Sequence, residues 1–202
     1  MGCTLSKAVT SLVHKGSERS PGVGRVADVD DPPPPPPPDP RSPLTARQIF
    51  SISKSWKAIA RAMEPTGVEM FVRLFKQNEE LLELFTSFQA LKTEDEQRES
   101  MELGQHASLV MTTLDEGINS LDNLDYFFDY LHNAGGLHYK IKGFKKDYFW
   151  LIEKPFLEAV KLTLGDRYTD NIENIYKTTI HFILETLIEG YDMAEKKAIG
   201  SH

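Results

Sequence analysis

Six histidines are spread along the 202 residues: His14, His106, His132, His138, His181 and His202. A neutral imidazole donates from one ring nitrogen and accepts at the other. It can therefore satisfy a buried carbonyl, exchange a proton near neutrality or give its lone pair to a metal. His14 and His202 sit in terminal segments with no apolar pattern to hold them. His181 stands among Ile180, Phe182 and Ile183, and reads as a partly buried structural histidine with a hydrogen-bond partner. His106 shares an apolar stripe with Leu103, Val110, Leu114 and Ile118, spaced three or four apart. Alone, such a residue is most often a satisfied core histidine. His138 follows 32 residues later, just after Gly135-Gly136, with Leu137 and Ile141 beside it, and Phe85 precedes His106 by 21 residues. Two polar rings facing one cavity are costly unless each finds a partner.

A second chemistry sits at the start of the chain, Met-Gly-Cys-Thr-Leu-Ser-Lys. Gly2 with Ser6 fits the N-myristoylation pattern, and Cys3 is placed for palmitoylation. One acyl chain binds a bilayer marginally; two anchor it stably. Residues 1–27 carry Lys7, Lys15, Arg19 and Arg25 against Glu18 alone, which suits an anionic cytoplasmic leaflet. These features imply a cytoplasmic protein held on the inner face of the plasma membrane. Pro32 to Pro38 is an unbroken run of seven prolines, a stiff spacer of about 20 Å in polyproline II form. It is also a possible ligand for a proline-recognising domain.

Other classes fit poorly. The net charge of -7 argues against nucleic-acid binding. Cys3 is the single cysteine, so no internal disulfide forms, and a reducing compartment is the simple reading. The first apolar segment is too short and too interrupted for a signal peptide, and no apolar run reaches the roughly 20 residues that span a bilayer. No nucleophile triad, phosphate loop or zinc cluster is visible, so no enzyme is expected.

The elements that must hold the histidines are helical. Residues 1–43 contain ten of the 12 prolines and no aromatic residue, and read as a disordered tail. Residues 44–198 read as one all-α domain of about seven or eight helices, with 199–202 as a C-terminal tail. A first helix is expected from an N-cap at Thr45 to about Met63, burying Ile49, Ile52, Trp56, Ile59 and Ala60, with Pro65 after its end. The next run, Val68 to Leu84, carries Phe71, Leu74, Phe75, Leu81, Leu82 and Leu84. A polar stretch, Lys92–Arg98, separates it from a long helix over about Glu99–Ser120. A short segment, Leu121–His138, holds the glycine pair. Two long helices follow, about Lys142–Thr163 with a kink at Pro155, and Tyr168–Ala198, with Gly165 and Asp166 in the turn between them.

The runs SKSWKAI around Trp56, VEMFVRLFKQNEELLELF ending in Phe85, LGQHASLVMTTL around His106 and YLHNAGGLHYKIKGF around His138 together resemble the globin family. The likeness is greatest to its neuroglobin and globin X branches and to acylated, membrane-associated invertebrate members. It spans roughly residues 44–198 and implies a three-on-three globin fold around haem b. By the match His138 is the proximal iron ligand, His106 the distal histidine, Val110 the apolar residue above the ligand site, and Phe71 and Phe85 the aromatics against the haem. His132, before the glycines, is the competing proximal candidate. Leu131, Ile141 and Leu151 are expected to complete the apolar pocket. Two departures stand out. Asn78 or a neighbour occupies a position that is often proline, and Leu109 stands where a cation often meets a haem carboxylate. That leaves Lys140, Lys142 and Tyr139 as nearby candidates.

The other ring nitrogen of His138 should donate to a backbone carbonyl, fixing the tautomer. His106 either donates a hydrogen bond to a bound diatomic ligand or itself takes the sixth position on iron. The favoured function is a membrane-tethered haem protein that binds dioxygen or other gaseous ligands and acts in redox signalling, electron transfer or oxygen sensing with an unidentified redox partner. Oxygen storage or transport is one alternative. A haem-free helical adaptor built around the proline run is another.

Overall fold

The computed structural model describes residues 39–200. Gly2, Cys3 and the run Pro32–Pro38 lie outside the described residues. Among those described there are seven α-helices, three 3-10 helices and no strand. None of the helices is long and apolar enough to cross a membrane.

Helix α1 (Ala46–Ala60) opens at Thr45, whose hydroxyl accepts from the Gln48 backbone N–H while Gln48 reaches back to Thr45. This reciprocal cap satisfies two donors that a helix start leaves bare. Ile52, Trp56 and Ile59 are buried as expected, but Ile49 is half-buried and Ala60 exposed. The helix stops at Ala60 because α2 (Met63–Gln77) begins at once. Pro65 thus starts a helix rather than following one. In the first turn its missing N–H forfeits no bond.

After α2 the chain tightens into a 3-10 turn, Glu79–Leu84. The polar stretch then forms a helix of its own, α3 (Glu94–Glu99), with a reciprocal cap between Thr93 and Glu96. Next come α4 (Met101–Asn119) and α5 (Leu124–His138). The long helix expected from Lys142 is instead a 3-10 segment, Lys146–Ile152, leading into α6 (Glu153–Leu164). Pro155 lies in the first turn of α6, so it initiates a helix where a kink was expected. Gly165, at φ 55°, turns the chain into a short 3-10 stretch and then α7 (Asp170–Ile199), capped by Thr169.

Packing is dominated by α5 along α7 and by α2 against α4 and α6. The α5–α7 crossing explains the glycine pair, which lies inside a continuous helix. A Cβ on Gly135 would stand 1.9 Å from the Leu187 carbonyl oxygen, and one on Gly190 would stand 2.2 Å from that of His132. Only hydrogen at both positions allows the two backbones to approach this closely. At the far side, Trp56 lies between Phe156 and Tyr176, with ring centroids 6.3 Å away in each case, and its Nε1 donates to Asp115 at 2.6 Å. Glu69, almost buried, joins three helices: it accepts from Arg73 at 2.6 Å and from Arg98 of α3, while Arg73 also reaches Glu158 of α6. These ties fix α2, from which Phe71 reaches the site.

Candidate functional site

Helices α4 and α5 face each other across a cavity of about 770 Å³, and each contributes one histidine to its wall. The amphipathic period of α4 puts His106, Leu109, Val110 and Thr113 on that wall. From α5 come Ala134, Leu137 and His138, at the end of the helix, and Ile141 follows in the turn. Phe71 and Leu74 of α2 close one side, and Leu184 and Leu187 of α7 form another part of the lining.

His138 is oriented by its own helix. Its Nδ1 donates to the Ala134 carbonyl at 2.8 Å, because a carbonyl can only accept. A neutral ring then carries its lone pair on Nε2. Phe149 and Phe144 meet the ring with centroids 4.8 and 5.0 Å away. His106 has no such partner. Its ring meets Phe85 at 5.0 Å, Phe71 at 5.1 Å and Phe88 at 5.9 Å, with no hydrogen bond to any described residue.

Burial pushes both imidazoles below their usual pKa. For His106, charge on His138 pushes in the same direction; for His138 the bond to Ala134 opposes the shift. Two neutral rings, each with a lone pair or donor to offer, therefore share one apolar space.

Of the residues assigned to the pocket, Phe71, Phe85, His106, Val110, His138 and Ile141 line the cavity. Leu131 does not. It is wholly buried beside Gly117 of α4, in the core below the cavity. It lies seven residues before His138, about 10 Å along the helix axis. Leu151 is also displaced, and Ile152 lines the cavity in its place. His132 points elsewhere, to Glu189 at 3.0 Å, with its ring stacked on Phe128. His181 pairs with Glu153 at 2.9 Å.

Phe88, Phe144, Phe149 and Tyr148 also reach the lining, and sequence alone did not single them out. Among the described residues no lysine or arginine lines the cavity; Lys140, Lys142 and Tyr139 lie outside it, and Leu109 is part of its lining.

The pocket suits a flat, apolar, metal-bearing group. Its walls are mostly aromatic and aliphatic, and the imidazole of His106 is left without a hydrogen-bond partner. The opposing imidazole is locked with its Nε2 available. Both features are what a planar macrocycle with an axial metal needs.

A family model described as Globin matches residues 68–187. Neuroglobin of Danio rerio is 27% identical over 140 residues, covering 69% of this chain and 87% of that protein. Cytoglobin-1 of Oryzias latipes is 29% identical over 126 residues, covering 62% of this chain and 69% of that protein. Among solved structures, a hexacoordinated heme protein from an anhydrobiotic tardigrade superposes with a TM-score of 0.74 at 38% identity. That match covers 76% of this chain and 99% of the tardigrade chain.

Proposed function

The chain belongs to the globin family and takes haem b as its cofactor, and on that footing we propose a membrane-tethered, bis-histidyl globin for redox signalling or oxygen sensing. The bound group supplies a redox-active iron that takes dioxygen and other diatomic ligands.

The residues of this chain divide the work. His138 Nε2 would hold the iron, and the Nδ1 bond to Ala134 keeps the ring in the one tautomer that can do so. Phe71, Phe85, Val110, Phe144 and Phe149 would cover the macrocycle and exclude water. Burial of that apolar area stabilises the complex by about 25 cal/mol per Å². His106 would be the second imidazole to hold the iron, from α4. The observation that carries this role is its unpartnered imidazole, enclosed by Phe71, Phe85 and Phe88 opposite His138. The hexacoordinated tardigrade relative supports the same reading.

With His106 holding the iron, an external ligand would have to displace it, and its apparent affinity would fall by the fraction of sites that are open. Such a site serves exchange of electrons or sensing better than bulk storage. Gly2 and Cys3 supply the anchor, and the proline run the spacer between bilayer and domain. A domain held there works at a raised local concentration of membrane-side partners.

The visible spectrum of the purified ferrous protein tests the site. Six-coordinate low-spin bands are expected, and His106→Leu should convert them to a five-coordinate spectrum while haem is retained. His138→Ala should abolish stable haem retention. A five-coordinate wild-type spectrum would instead indicate an oxygen store or carrier, with His106 as hydrogen-bond donor.

A further inference from the structure

Beyond His138 the aromatic contacts continue away from the cavity. The Phe144 ring meets that of His138 with centroids 5.0 Å apart, Tyr191 lies 6.3 Å from Phe144, and Tyr139 lies 5.4 Å from Tyr191. Four rings thus run in file from the imidazole, ending on two phenols. Tyr191 is buried on α7, and its hydroxyl donates to the Phe144 carbonyl at 3.3 Å. Tyr139, at the outer end, is half-buried. Tyr148 branches from Phe144 at 5.7 Å. The other four of the seven tyrosines stand in other groups. Tyr126 and Tyr130 stack on each other, and Tyr168 and Tyr176 lie together, Tyr176 against Trp56.

A phenol is among the side chains most easily oxidised by one electron, with loss of its proton. Rings in contact couple well enough for an electron to pass between them. Nearby charge separates the two branches. The Lys145 ammonium stands over the Tyr148 ring at 5.8 Å, and a positive charge there opposes removal of an electron. Tyr191 instead feels Glu195, one turn on along α7, and Asp192, whose charge is largely offset by its ion pair with Lys146. The negative charge of Glu195 favours electron loss and offers the released proton a carboxylate.

We propose that Tyr191 and Tyr139 are redox-active and carry oxidising equivalents from the haem site toward the surface, where the end of α5 meets α7. This rests on haem being held by His138, and not on His106 as a second ligand. With hydrogen peroxide as oxidant, the O–O bond breaks and takes up two electrons and two protons, giving two waters. Tyr191 and Tyr139 each supply one electron and one proton through loss of the phenolic O–H bond, and each is left as a neutral phenoxyl radical.

The haem-loaded full chain, in its ferric form, is mixed with an equimolar amount of hydrogen peroxide, frozen and examined by electron paramagnetic resonance. A tyrosyl signal is expected. The double variant Tyr139→Phe, Tyr191→Phe should lose most of it, while Tyr148→Phe and the double variant Tyr126→Phe, Tyr130→Phe should keep it. Each change deletes only a hydroxyl, so the rings stay packed, and the visible spectrum checks that haem is still held. A nitroso spin trap followed by peptide mass analysis should place the adduct on Tyr139 or Tyr191. The proposal is overturned if the Tyr139, Tyr191 variant keeps its full signal, if Tyr148→Phe abolishes it, or if the haem-free chain gives the same signal. His106→Leu should still yield the radical, because the file of rings starts on the His138 side. A five-coordinate wild-type spectrum with a tyrosyl signal would sink the bis-histidyl reading and support this one. Six-coordinate bands without any tyrosyl signal would do the reverse.

Discussion

An imidazole enclosed by three phenylalanines and given no hydrogen-bond partner is kept neutral by its surroundings. His106 is in that position, and His138, also buried, is displaced the same way. The consequence for the apoprotein has a definite sign. Well above pH 6.5, the usual histidine value, both rings are neutral whether the chain is folded or not. As pH falls through about 6.5, the unfolded chain binds protons first, because the folded values lie lower. Stability is therefore lost progressively as acid is added, down through the folded values. The urea midpoint of the haem-free protein should be lower at about pH 5.5 than at about pH 7.5. His106→Leu should shrink that difference, and an undiminished difference would mean that the ring is not desolvated. Haem should loosen over the same range, since a proton on Nε2 competes with iron for the same lone pair.

At the scale of elements, α5 is held by its approach to α7. Gly135→Ala would place a carbon against the Leu187 carbonyl, which belongs to backbone and cannot turn aside. The helices must separate, at a cost of about 3 kcal/mol. Because His138 lies one turn further on, the low-spin spectrum should weaken as well. Gly117→Ala is the contrast. Its nearest neighbour is the flexible Ile183 Cδ1 at 3.4 Å. The gain in helix propensity of about 1 kcal/mol offsets that contact, so near-neutral stability is expected. Urea unfolding of the two variants measures the difference. The same crossing marks what could be read in advance. The amphipathic period made α1, α4 and α7 legible, and the ordered set of Trp56, Phe85, His106 and His138 marked the site. The continuity of α5 was hidden, since glycine disfavours a helix locally and its reason lies on α7, some fifty residues on in the chain. Pro65 and Pro155 resemble breakers until the helix they open is known. Phe88, Phe144 and Phe149 carry no local sign of which wall they face. Leu131 shares the stripe of His138 but lies two turns before it, packed in the core.

Considered as a whole molecule, the chain divides its charge unevenly. Residues 1–27 hold four basic side chains against Glu18, yet the full chain carries -7. An acidic protein is repelled by an anionic leaflet, so its basic start cannot retain it there without help. On the proposed reading acyl chains supply the difference, and the arithmetic of lipid anchoring separates their shares. Myristate on Gly2 alone would bind reversibly, and palmitate on Cys3 would make the hold stable. In fractionated cells the unchanged protein should pellet with membranes at both low and high salt. Cys3→Ser leaves one acyl chain assisted by the basic residues. It should pellet only partly, and be released when salt is raised, because screening removes the electrostatic share. Gly2→Ala removes the glycine that the myristoylation pattern requires and should leave the protein in the supernatant at every salt concentration. Continued pelleting of the Gly2 variant would show that some other feature of the chain holds the membrane. Salt-resistant pelleting of Cys3→Ser would rule out the second acyl chain as the stabilising element.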